Sequence, residues 1–82
     1  MAHIVKFPVP DELNRFFKES RTRLTVLIQA LNLSSEKGVL DERQYRALLI
    51  YTGINPARDL CYFDQVILQY HIDNYYGLDI QI

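Results

Sequence analysis

The stretch from Asn55 to Gly77 constrains the fold more than any other part of the chain, because it reads as one long helix with both ends marked. Asn55 is a good N-cap, Pro56 suits the first helical position, and Gly77 can adopt the left-handed conformation that ends a helix. At 100° per residue, Gln65, Gln69 and Asp73 share one narrow strip with Tyr62, and nearly everything else is apolar. An apolar arc of roughly 240° must be wrapped by the rest of the chain or by a partner.

The rest of the chain is short. Eighty-two residues make one domain, and a domain of this size buries only about 60% of the surface its unfolded chain exposes. Cys61 is the single cysteine, so no internal disulfide staples the core, and a reducing, cytoplasmic setting is expected. A hydrophobic share of 49% against 23% charged residues is that of a folding chain. The apolar run Ala47-Leu48-Leu49-Ile50-Tyr51 is far short of the roughly 20 residues a membrane span needs. The start, Met1 to Pro8, lacks the pattern of a signal peptide. No membrane association is expected. The net charge of −1 is unevenly placed, since every Lys and Arg lies at or before Arg58 and the last 24 residues carry four Asp and no base. This asymmetry can draw two copies, or the two halves of one copy, together.

Taken in order, residues 3 to 9 alternate loosely up to Pro8 and Pro10, which suggests a short edge strand or extended arm. A first helix over 11–32 follows, opened by Asp11 and Glu12. Its apolar stripe is Leu13, Phe16, Phe17, Ser20, Leu24, Leu27, Ile28 and Leu31. Arg15, Lys18, Glu19, Thr22, Thr25 and Gln29 take the opposite face, with Arg21 and Arg23 on its flanks. Residues 33–40 lack periodicity and read as a connection with room for a single helical turn at Ser34–Lys37. Asp41 opens a second helix over 41–52, with Gln44 as capping-box partner and Leu40 placed to staple against Tyr45. It packs inward through Tyr45, Leu48, Leu49 and Thr52, and Ile50 and Tyr51 predict that the back of its last turn is buried as well. A third helix spans 56–76. The tail Leu78-Asp79-Ile80-Gln81-Ile82 alternates with period two, a strand pattern that needs the N-terminal arm, a symmetry mate or a partner beside it.

Few residues suggest chemistry. His3 and His71 are far apart in sequence, Cys61 has no neighbouring His or second thiol, and the three glycines form no phosphate-cradling loop. The expectation is therefore a non-enzymatic protein with no cofactor and no metal. Cys61 reads as a buried, inert thiol too deep in its helix to feel the N-terminal dipole. Asp64 and His71 fall on the same apolar side of the third helix, about 10.5 Å apart along its axis. Asp64 then needs an arginine from another helix, with Arg21, Arg23 or Arg46 as candidates, and His71 a tyrosine or a backbone carbonyl. The functional alternative makes the pair a polar spot in an interface, or His71 a pH-sensitive contact.

These observations predict an all-α domain over residues 1–82, a small three-helix bundle with short extended, β-like segments at both termini. The expected function is regulatory or adaptor binding of another protein, with self-association as a homodimer. Leu60, Phe63, Ile67 and Tyr70 are expected to face the first two helices, leaving Tyr62, Val66, Leu68, Ile72 and Tyr75 as the interface. Nucleic acid is the weaker alternative. Leu49–Asn55 resembles the turn of a helix-turn-helix, which implies a DNA-binding regulator contacting phosphates through Arg58, Arg15, Lys18, Arg21 and Arg23. Asp59, Asp64 and Asp73 oppose that contact. A structural subunit of an assembly is the third alternative.

Overall fold

The computed structural model describes residues 11–82. The arm expected over residues 3–9, with His3, lies outside the described residues. The chain is all-α: α1 Asp11–Glu36, α2 Glu42–Thr52, α3 Pro56–Asp59 and α4 Tyr62–His71, the last running into a π-helical turn Ile72–Tyr76. Among the described residues there is no strand.

α1 runs one turn beyond the expected end at Asn32 and absorbs the turn expected at Ser34. Nothing in Leu33-Ser34-Ser35-Glu36 breaks a helix. The stop comes at Gly38, whose φ of 71° is open to glycine at no steric cost, and the Val39 N–H closes back on the Ser34 carbonyl. Asp41 caps α2 by accepting the Gln44 N–H at 2.7 Å. The reciprocal half of the expected box is not made, because the Gln44 amide instead reaches the buried Ser34 hydroxyl across the helix pair. Gly53 ends α2 with the Ile54 N–H on the Leu49 carbonyl, and Ile54 drops into the core.

The third predicted helix is broken. Leu60 and Cys61 are both extended, at ψ 139° and 162°, so α3 is a single turn and α4 starts afresh. Contacts then order the bundle: Ser20 meets Cys61 and Asp64, while Ile28 and Asn32 meet Tyr76, so α1 and α4 run in the same direction. The core is Leu24, Leu27, Leu31, Tyr45, Ile54, Leu60, Leu68, Ile72 and Ile80. Ile50 and Tyr51, expected to be buried, are exposed. α2 meets α1 through the face bearing Tyr45, and no described element lies over its back.

The C-terminal alternation is real and its partner is a side chain. Ile80 is buried and Leu78 and Ile82 pack against the core, whereas Asp79 and Gln81 point outward. The Gln69 amide donates to the Ile80 carbonyl at 2.7 Å and accepts the Ile82 N–H at 3.0 Å, supplying the pair of bonds a neighbouring strand would give. Ile80→Ala is expected to cost about 2–4 kcal/mol in a urea titration. Gln69→Ala should raise hydrogen exchange at Ile82 and leave the amides of α1 protected.

Candidate functional site

The break before α4 decides which side chains reach the surface. Its free backbone groups are met from both sides. The Ser20 hydroxyl accepts the Cys61 N–H at 2.7 Å and donates to Asp64 Oδ2 at 3.0 Å, while the Gln65 amide donates to the carbonyls of Leu60 and Ala57 at 2.9 and 3.3 Å. Cys61 is the N-cap of α4 and its own side chain makes no capping bond. Asp64 stands at the third position of the helix, where a capping box places an acid to reach back to the N-cap. Here a hydroxyl from another helix completes that box. Ser20 and Asp64 are both fully buried. Of the three arginines expected near Asp64, Arg21 is the one that arrives, its Nη2 lying 3.2 Å from Oδ1. That contact is an ion pair without hydrogen-bond alignment. Ser20→Ala would leave a buried carboxylate oxygen and an amide without partners and is expected to cost about 2–3 kcal/mol in denaturant titration. Arg21→Ala, whose guanidinium is largely solvated, should cost no more than about 1 kcal/mol.

α3 is closed by its own local network. Asn55 accepts the Ala57 N–H, and Asp59 accepts the Asn55 N–H at 2.7 Å and both the Nε and Nη2 of Arg58 at 2.9 Å. The Arg58 guanidinium, then the Asn55 amide, hold the Asp59 carboxyl well below the usual carboxylate range. A depressed folded-state value adds stability that is complete above the unfolded value of about 3.9 and is lost as pH falls below it. Between about pH 5 and pH 2 the thermal midpoint of Asp59→Asn should therefore fall less steeply than that of the unsubstituted protein.

With Asp64 pinned inward, Leu68 and Ile72 follow at four-residue intervals and are 0% exposed. These two are core, which corrects their assignment to the interface. Conversely, Phe63 and Tyr70, expected to face α1 and α2, are 68% and 55% exposed. Tyr62 and Val66 are exposed as expected, at 81% and 49%. The outer face of α4 is thus Tyr62, Phe63, Val66 and Tyr70. Its two exposed rings at the N-terminal end lie toward the end of α1 that carries the exposed Leu13, Phe16 and Phe17. Tyr75 is also exposed but lines a separate cleft.

The basic residues of the DNA-binding alternative are mostly engaged. Arg58 is held by Asp59, Arg21 by Asp64, and Arg23 lies 3.9 Å from Glu19. Arg15 and Lys18 are exposed on α1. His71 makes no hydrogen bond among the described residues and is half-buried among rings, its centroid 5.0 Å from that of Tyr75 and 6.3 Å from those of Tyr70 and Tyr76. Cys61 is half-buried at the N-cap, a shallower place than the helix interior expected for it. Among the described residues no three His, Cys, Asp or Glu gather as a metal site, and no helix is long and apolar enough to cross a membrane.

Ser20, Phe63 and Tyr70 were missed as determinants of this surface. The available signal was a small hydroxyl inside the apolar stripe of one helix and a carboxylate on the apolar side of another. Comparison with family models, curated proteins and solved structures returns no match for this chain.

Proposed function

We propose that this chain is a non-enzymatic binding module of regulatory or adaptor type, and that it self-associates through the outer face of α4. The observation that carries the reading is the uncharged aromatic stripe Tyr62, Phe63, Val66 and Tyr70. Of the acids nearest to it in the helix, Asp64 is buried, and Asp73, exposed beyond the end of the stripe, accepts from the Gln69 amide. Aromatic enrichment and loss of charge distinguish the centre of an interface from ordinary surface. Three rings, each offering up to about 150–250 Å² when fully exposed, make a patch of the size that marks contact sites on small proteins. A second copy is the occupant that fits, because antiparallel pairing about Val66 sets Tyr62 against Tyr70 and places no charged side chain at its centre. The exposed Phe16 and Phe17 extend the same end of the molecule. A cytoplasmic location accords with the lone cysteine.

Sedimentation equilibrium tests this. At tens of micromolar the protein should show a dimer mass, and Val66→Glu a monomer mass with an unchanged far-ultraviolet circular dichroism spectrum. A monomer mass for the unsubstituted protein at about 100 μM would overturn self-association. Tight, sequence-selective duplex binding lost in Arg15→Ala and Lys18→Ala would favour the DNA-binding alternative instead.

A further inference from the structure

The geometry points to a second site, independent of the α4 face: the cleft between the end of α1 and the π turn binds an alkylated ammonium group. The cleft has a volume of about 340 Å³ and is lined by Asn32, Ser35 and Glu36 from α1 and by His71, Tyr75 and Tyr76.

The π turn builds its aromatic wall. In an α-helix, residues five apart point about 140° away from each other, whereas the i to i+5 pairing of a π turn brings them onto one side. His71 and Tyr76 are such a pair, and their rings lie 29° from parallel with centroids 6.3 Å apart. Tyr75 stands beside them, 5.0 Å from His71, and Tyr70 meets it edge-on at 5.7 Å. The Tyr76 ring is fixed in turn, because its hydroxyl donates to Asn32 Oδ1 at 2.6 Å. Burial pushes the Tyr76 phenol up, so it remains a protonated donor.

Electrostatics selects the ligand. Ring faces attract cations, and Glu36 is the one charged side chain lining the cleft. Asp73, in the same π turn, pairs with no Lys or Arg among the described residues and adds negative charge at this end of the molecule. Lys37, the adjacent base, lines the groove between α1 and α2 instead. A primary ammonium needs several acceptors, and here the Asn32 carbonyl oxygen is already bonded to Tyr76. An alkylated ammonium needs none, and its methyl groups pack directly on the rings. The group can be carried by a free small molecule or by a methylated lysine side chain.

The test is an NMR titration of the full chain with choline, with a trimethyllysine peptide, and with the uncharged analogue of choline in which carbon replaces nitrogen. Saturable shifts at Tyr75 and Tyr76 are expected with choline, with Kd on the order of a millimolar. Glu36→Gln and Tyr75→Leu should each weaken binding about fivefold or more while circular dichroism stays unchanged. Tighter binding of the peptide than of choline assigns the ligand to a protein chain, and equal binding assigns it to a small molecule. The proposal is overturned if the uncharged analogue binds as tightly as choline, if Tyr75→Leu binds undiminished, or if choline produces no saturable shift. Because Tyr70 of the α4 face meets Tyr75, the titration is repeated on Val66→Glu, where the choline shifts are expected to persist and their loss would overturn a site separate from the dimer face.

Discussion

One buried hydroxyl holds the arrangement together. Ser20 serves two groups at once, the amide that opens α4 and the carboxylate on its first turn, and it does so from a different helix. A helix interruption inside a small bundle leaves unpaired carbonyls on one side and unpaired amides on the other. Burying such groups unmet costs free energy comparable to the stability of a domain this small. Ser20 and the Gln65 amide meet them, so Leu60 and Cys61 can be extended without penalty and Leu60 can turn into the core.

The same contact fixes the rotation of α4. Asp64 is drawn to Ser20 and Arg21, and Leu68 and Ile72 are carried inward with it. The opposite side, with Tyr62, Val66 and Tyr70, is thereby turned to solvent. Further along, the change to π pairing lets Tyr76 reach Asn32 on α1 while Gly77, at φ 64°, reverses the chain and sends the tail back to Gln69. Two surfaces follow from one anchored helix: an uncharged aromatic face, and a cleft of rings beside a single carboxylate.

Division of labour among the glutamines is also notable for so small a core. Gln65 closes the end of α3, Gln69 holds the tail, and Gln44 ties α2 to Ser34. Each amide both spans a short gap and satisfies backbone or buried polar groups, a role played in larger domains by added secondary structure. In the narrow polar strip of Gln65, Gln69 and Asp73, the two glutamines are where α4 holds its neighbours.

What the sequence by itself determined is local. The helical class, both ends of α2, the N-cap at Asn55 and the stop at Gly77 all follow from capping and glycine chemistry within a few residues. The inward set Leu78, Ile80 and Ile82 follows from period two, and the need of Asp64 for an arginine follows from its place on an apolar side. Tertiary structure decided the break at Leu60–Cys61, the rotation of α4, the exposure of Ile50, Tyr51, Phe63 and Tyr70, and the burial of Leu68 and Ile72. The reason is physical: a helical wheel places Asp64 within a broad apolar arc, but hydrophobicity alone does not say which part of that arc the neighbouring helices cover. Only when a hydroxyl 44 residues away occupies the same point in space does burying that carboxylate become favourable, and the whole helix then rotates to keep the bond.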